Sequence, residues 1–170
     1  MPNWCEGNLR LRGTADAILE FIKNEVQIVG RSRGSLDINE CGPEVVDEYG
    51  EASVKAPKQA EGWFMVSIYI KNTVRNFIDG REFNLYLGDE EDRANVRTVC
   101  IDGFRAAWGI VAEPYVEKAR KYGIDIKIVG FECGMQFAQI IEIINGELVK
   151  DQEVKFDDWD WECVMPNMGG

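Results

Sequence analysis

The sequence contains no histidine among its 170 residues. Histidine is the usual general base near neutral pH and the commonest metal ligand, so its absence excludes the Ser-His-Asp and Cys-His triads of most familiar hydrolases. Positive charge is also scarce, since 19 Lys and Arg face 30 Asp and Glu, which gives a net charge of −11. Nonspecific nucleic-acid binding depends on neutralising phosphates with basic side chains. We therefore expect no direct binding to free nucleic acid.

Long apolar runs and paired cysteines are lacking as well. No segment approaches the roughly 18 consecutive apolar residues of a membrane span, and the N-terminal residues show neither the basic flank nor the apolar stretch of a signal peptide. The five cysteines are widely spaced, without a Cys-x-x-Cys pair. Such an odd, scattered set is typical of reduced thiols. These features predict a cytoplasmic protein that has no membrane association, no metal and no cofactor.

Apolar residues make up 45% of the chain, and this share suffices for one hydrophobic core in a single domain. Alternating Leu9 and Leu11 predict a first strand, and Thr14 can cap a helix over residues 14–26. Pro114 and Gly123 mark the start and the end of a second helix.

Further strands are predicted by alternating or β-branched segments. They cover residues 63–70, 83–87, 96–104, 124–132, 135–144, 148–156 and the tail 157–163. We expect the first of these to be a central strand buried on both faces. Asn145 and Gly146 predict a two-residue hairpin turn, because both residues tolerate positive φ. The order of elements favours an α+β fold in which two helices cover one face of an antiparallel sheet, with extra C-terminal strands.

Residues 30–62 are rich in glycine, proline and polar side chains. We predict a long inserted loop there, with at most one short strand or helical turn, and expect it to be the most mobile part of the domain formed by residues 1–170. Its start carries the one concentrated basic patch of the sequence, Arg31 and Arg33. The alternative is a contact with phosphate, but two arginines are too few to offset the negative charge, so we interpret this patch as flexible loop.

The N-terminal residues Met1-Pro2-Asn3-Trp4-Cys5, followed by Leu9, Leu11 and Gly13, resemble a family of small proteins, the YubB-like proteins of phages and conjugative plasmids. The resemblance extends to motifs in the C-terminal half, namely Trp108-Gly109, Pro114, Tyr122-Gly123, Glu132-Cys133-Gly134 and Phe137-Ala138. It implies a ferredoxin-like domain, named for its βαββαβ topology, and an origin on a mobile genetic element in a bacterial host. It implies no catalytic residues.

Two acidic clusters are the candidate partner-binding residues: Asp89, Glu90, Glu91 and Asp92 in the first, and Asp158, Trp159, Asp160, Trp161 and Glu162 in the second. The first cluster lacks the spacing of a calcium-binding loop. On an extended tail, the carboxylates of the second would form a row about 6.5 Å apart, which is too wide for one metal ion. The tryptophans fit either the core or an interface.

Rows of carboxylates can mimic phosphates and occupy a channel built for them. The sequence thus predicts a non-catalytic accessory protein of a mobile element. We expect it to bind, and through this binding to inhibit, a basic or nucleic-acid-binding host protein such as a CRISPR or restriction effector. This function is anti-CRISPR-like or otherwise counter-defensive.

Two alternatives remain. A metal-dependent nuclease or phosphotransferase can work with carboxylates alone, for example Glu132 or Glu142 together with Asp158. A structural or self-assembling module can pair through exposed sheet edges.

Overall fold

The computed structural model describes residues 2–170, which form two antiparallel β-sheets and three α-helices. The strands are β1 (Trp4–Gly13), β2 (Val26–Ser32), β3 (Asn39–Cys41), β4 (Glu44–Glu48), β5 (Glu51–Lys55), β6 (Trp63–Ile70), β7 (Asn76–Ile78), β8 (Glu82–Tyr86), β9 (Arg97–Ala107), β10 (Asp125–Glu132), β11 (Phe137–Ile144) and β12 (Glu147–Lys155). The α-helices are α1 (Ala15–Glu25), α2 (Glu113–Tyr122) and α3 (Trp159–Glu162), and short 3-10 turns cover Lys58–Ala60 and Glu90–Asp92.

The larger sheet has nine strands in the order β12-β11-β10-β1-β9-β7-β6-β2-β3, and every neighbouring pair is antiparallel. The smaller sheet has the order β4-β5-β8. Because the three α-helices hold 11, 10 and 4 residues, the protein is mostly β. The predicted ferredoxin-like α+β fold, a sheet with two helices on one face, is therefore wrong. The sequence signals for the short strands β3, β4, β5 and β7 are weak, so the number of strands in the two sheets was underestimated from the sequence.

Both predicted helices are present. The Thr14 hydroxyl accepts a hydrogen bond from the backbone N–H of Ala17 at 3.3 Å and so caps α1, which buries Ile18 and Phe21 in the core. Gly123 ends α2 in the left-handed conformation, with φ 63° and ψ 37°. Asn145 also adopts positive φ, 53°, in the tight β11–β12 turn, as predicted.

The segment 30–62 is more ordered in secondary structure than expected. It contains β3, β4 and β5 and a 3-10 turn, and both Ala52 and Val54 on β5 are buried. The interpretation as a loop with at most one short strand is therefore wrong. The alternation in β4 and β5 is short and rich in acidic residues, so it resembles a polar loop in the sequence. The mobility of this segment remains a prediction.

Two further expectations are corrected by the burial and conformation of single segments. Strand β6 has the predicted bounds, but it is not buried on both faces, because Met65 is 77% exposed. The tail is not a strand, since residues 159–162 form the short helix α3, preceded by Asp158 as its N-cap. Among residues 2–170, none of the helices combines the length and the apolar character needed to cross a bilayer.

Candidate partner-binding surface

The C-terminal carboxylates do not form the predicted row. The Glu162 carboxylate accepts hydrogen bonds from the backbone N–H groups of Asp157 and Asp158 at 3.0 and 3.4 Å. The Asp158 carboxylate in turn accepts one from the N–H of Trp161 at 3.4 Å. Because helix geometry replaces the extended tail, these two exposed carboxylates stabilise the first turn of α3.

The two tail tryptophans have different environments. Trp159 is buried, its indole N–H donates to the carbonyl of Pro166 at 2.8 Å, and its ring packs edge-on against Phe156 at 5.5 Å. It therefore anchors α3 to the sheet and does not offer an interface. Trp161 is 86% exposed, and Asp160 beside it is exposed as well. Of the second predicted cluster, Asp160 and Trp161 make no side-chain hydrogen bond within residues 2–170, whereas the equally exposed carboxylates of Asp158 and Glu162 accept hydrogen bonds from backbone N–H groups.

The first acidic cluster lies beside the β4–β5 hairpin, and this proximity was not predicted from the sequence. Asp89 and Glu90 line an open groove of about 690 Å³ together with Asp47, Glu48, Tyr49, Gly50 and Arg93, and we call this set the acidic groove. Glu91 and Asp92 follow Glu90 in the 3-10 turn and are exposed. Tyr49 stands at the β4–β5 turn with φ 53° and is 96% exposed.

Arg93 is the one basic residue that lines the acidic groove, and it is already paired. Its guanidinium lies 2.7 Å from the carboxylate of Asp47 and 3.1 Å from that of Asp16. The hydrogen bond to Asp47 is the main cause that raises the pKa of Arg93 above its usual value. Within residues 2–170, no Lys or Arg pairs with Glu48, Asp89 or Glu90 within about 4 Å. The remaining groove carboxylates are thus open to an external cation.

Negative charge is unevenly distributed along the chain. Residues 37–97 contain 13 acidic and 7 basic side chains, and residues 147–170 contain 7 acidic and 2 basic ones. The rest of the chain is balanced, with 10 of each sign. The excess therefore lies in the part of the chain that contains the acidic groove and in the C-terminal hairpin with α3.

The carboxylates considered for metal-dependent catalysis do not converge. Glu132 is buried and accepts hydrogen bonds from the backbone N–H groups of Gly134 and Met135 at 2.8 and 2.6 Å, so it shapes the β10–β11 turn. Glu142 pairs with Lys127 at 3.3 Å. Lys127, which lies opposite Glu142 in the β10–β11 hairpin, is five residues away from Glu132 on β10, so Glu132 and Glu142 are separated by about 17 Å along the strands. Among residues 2–170, no group of three or more Cys, Asp or Glu side chains is arranged to hold a metal ion.

The N-terminal motif supplies core residues. Cys5 is fully buried, and desolvation, followed by the charges of Glu132 and Glu6, raises the pKa of its thiol to about 12. Such a thiol stays protonated at neutral pH and is a poor nucleophile.

No protein-family model, no curated protein and no solved structure matches this chain. Its similarity to the YubB-like proteins consequently rests on the sequence motifs alone and stays a prediction.

Proposed function

We propose that this protein is a non-catalytic binding protein whose acidic groove docks a basic surface of a nucleic-acid-handling protein. One observation carries the proposal: Glu48, Asp89 and Glu90 line an open groove without a basic partner, next to the almost fully exposed Tyr49. Carboxylates held on one surface without counter-charges present a negative potential that a phosphate-binding channel recognises.

The composition of the groove suits a protein partner better than a small cation. Interfaces combine an aromatic anchor, which loses its water on binding, with a polar rim that sets orientation and association rate. Tyr49 supplies the anchor, and the carboxylates on both sides of it supply the rim. Because the β4–β5 turn holds Tyr49 in a defined backbone conformation, little entropy is lost when it is buried.

The biological role follows from the resemblance to proteins of mobile elements. A small acidic protein that fills the phosphate channel of a host effector inhibits that effector in the bacterial cytoplasm, and this is the counter-defence role that we propose. The exposed pair Asp160 and Trp161 forms a second, separate candidate contact.

The experiment compares two variants with equal net charge. The groove variant carries Glu48→Gln, Asp89→Asn and Glu90→Gln, and Asp89 makes no side-chain cap bond whose loss would disturb the fold. The control variant carries Glu147→Gln, Glu153→Gln and Asp157→Asn, all exposed residues outside the groove. Immobilised wild-type protein captures a partner from bacterial lysate, the partner is purified, and association rates are measured at increasing salt concentration.

We expect the association of wild type to slow as salt is added, and the groove variant to associate about tenfold more slowly than the control. Duplex DNA and long RNA should not bind to the free protein at physiological salt. Equal rates for the two variants, or direct binding of long nucleic acid, would show that the acidic groove is not the docking site. An Asp160→Asn, Trp161→Ala variant measures the contribution of the second contact.

A further inference from the structure

A second groove, with the opposite chemistry, lies on the large sheet. It has a volume of about 310 Å³ and lies between β2, β6, β7, β9 and the start of β1. Three arginines, two aromatic rings and a methionine dominate its lining: Arg31, Arg75, Arg105, Trp4, Phe77 and Met65. No carboxylate lines it. We call this set the arginine groove.

Aromatic rings hold two of the guanidinium groups in place. The guanidinium carbon of Arg105 lies 4.8 Å from the centre of the Trp4 ring, and that of Arg75 lies 5.6 Å from it. Arg75 also lies 5.5 Å from the ring of the exposed Trp108, and Phe77 packs edge-on against Trp4 at 6.0 Å. Such cation–π contacts orient the flat guanidinium groups and leave their N–H groups free to donate.

The charge of these arginines is only partly neutralised. Arg105 lies 2.9 Å from a carboxylate oxygen of Asp79. Within residues 2–170, Arg31 and Arg75 have no carboxylate within about 4 Å. A guanidinium group binds phosphate through two parallel hydrogen bonds, so Arg31 and Arg75 are together suited to hold a phosphate group.

The backbone around the groove is strained, and this observation is independent of charge. Met65, Arg75 and Trp108 have φ values of 52°, 54° and 62°. These values lie in the left-handed region, which residues other than glycine rarely adopt. Met65 lies inside β6, where the register with β2 shifts between Val29 and Arg31. Strained residues and strand irregularities concentrate at ligand sites, where they re-aim side chains. Here they leave the Met65 thioether exposed at the edge of the groove.

We propose that the arginine groove binds a nucleoside phosphate. Arg31 and Arg75 hold the phosphate, and the base stacks on the layer of rings and guanidinium planes, a mode in which sheet surfaces bind nucleotides. The volume fits a small ligand, since ligand sites measure about 300–1,000 Å³. An inorganic anion would leave the aromatic rings of the groove without a binding role, and an uncharged aromatic compound would leave the arginines without one. A nucleoside phosphate uses both.

A single nucleotide fits the surroundings better than a polynucleotide. Asp79 lies beside Arg105 at one side of the groove, and Glu6 follows Trp4 on the same face of β1. Further phosphates on either side would meet these carboxylates and the overall charge of −11. This inference is independent of the acidic groove and of the proposed partner.

Isothermal titration with adenosine monophosphate and diphosphate tests the proposal, with adenosine and inorganic phosphate as partial ligands. We expect saturable binding of the nucleotides and much weaker binding of each part. The variant Arg31→Gln, Arg75→Gln should lose affinity by at least about tenfold, because two charged hydrogen-bond donors to phosphate are removed. The control variant Lys23→Gln, Arg33→Gln removes two exposed charges outside the groove and should bind like wild type.

Thermal melting shows whether each variant is folded, and Arg75→Lys is a second test that keeps the charge. Since an ammonium group cannot stack as a guanidinium plane does, this variant should bind with intermediate affinity. Absence of nucleotide binding to the wild type, or equal affinities for the groove and control variants, overturns the proposal. A short oligothymidylate that binds about tenfold more tightly than thymidine monophosphate would overturn the assignment to a single nucleotide. The acidic-groove variant should bind nucleotide normally, so the two proposals fail separately.

Discussion

The carboxylate of Glu25, at the end of α1, lies 3.1 Å from the ammonium group of Lys118 on α2, and the two side chains are only 7% and 6% exposed. Lys121 lies 2.9 Å from the same carboxylate, and the Tyr122 hydroxyl donates to it at 2.7 Å. Burial alone would raise the pKa of Glu25, but the hydrogen bonds from Tyr122, Lys121 and Lys118 outweigh this effect and lower the pKa to about 2. This cluster joins the two main helices.

Substitution Glu25→Gln should lower the free energy of unfolding by about 3–5 kcal/mol, because it leaves the Lys118 ammonium group buried without a counter-charge. Urea unfolding followed by tryptophan fluorescence measures the change. The matched control is Glu20→Gln, an exposed position on α1, which should change stability by less than about 0.5 kcal/mol. Similar effects of both substitutions would show that the ion pair does not stabilise the helix contact.

The same cluster predicts a pH dependence. The pKa of Glu25 is about 2 in the folded state against an ordinary value of 4.5, so the folded protein favours the ionised form. The stability that Glu25 contributes is therefore complete above pH 4.5 and is lost as the pH falls toward about 2. The difference in unfolding free energy between wild type and Glu25→Gln should shrink across this window. A difference that stays constant would contradict the assignment.

A buried hydrogen bond predicts a second stability effect. The Asn76 side-chain amide donates to the Tyr115 hydroxyl at 2.7 Å, both residues are buried, and burial raises the pKa of Tyr115 so that the phenol remains protonated. Tyr115→Phe leaves the amide without its acceptor and should cost about 1–3 kcal/mol. Tyr86→Phe, at an exposed tyrosine, is the control and should be neutral. The prediction fails if thermal melting gives equal shifts for the two variants.

Close approach of two strands predicts that Gly7 tolerates no side chain. A Cβ atom at Gly7 would collide with the backbone carbonyl of Val129, at the point where Gly7 of β1 pairs with Gly130 of β10. Gly7→Ala must push the strands apart and should destabilise the protein by at least about 1–3 kcal/mol. Gly62→Ala places its Cβ in open space and serves as the control. Denaturant midpoints of the two variants decide the matter.

Limited proteolysis tests the mobility predicted for residues 30–62. Trypsin should cut first after Arg33, because the residues between β2 and β3 are largely exposed and have few apolar anchors. Mass spectrometry of the earliest fragments identifies the site. A first cut within β9 to β12 instead would indicate that the segment is held as firmly as the sheet.

Local sequence signals predicted the elements whose ends are fixed by their own residues. Thr14, Gly123 and the Asn145-Gly146 turn act within a few residues of chain, so their effect is visible in the sequence. The C-terminal tail was wrongly predicted to be a strand because Trp and acidic residues alternate in it with period 2, which is typical of a strand. The competing signal is that Trp159 and Cys163 are four residues apart behind the N-capping Asp158, which is helical spacing.

The grooves were only partly predictable. Asp89 and Glu90 were identified from the sequence, but Asp47, Glu48 and Tyr49 join them through the small sheet, whose pairing is not local. Of the arginine groove, only Arg31 was singled out from the sequence, and its interpretation as flexible loop is wrong because Arg31 lies in β2. The other groove residues were missed, because the large sheet assembles them from distant strands and net charge conceals a local cluster of opposite sign.

The position of β1 inside the large sheet has a consequence for biosynthesis. Leu9 faces Ile101 of β9 on one side and Ile128 of β10 on the other, so β1, the first of the twelve described strands to leave the ribosome, finds its partners about a hundred residues later. At a synthesis rate of roughly 5–20 residues per second, this strand waits for roughly 5–20 s with both edges unpaired. The nascent chain is thus exposed to chaperones, proteases and aggregation until β10 emerges, and the speed of translation limits how soon the sheet can close.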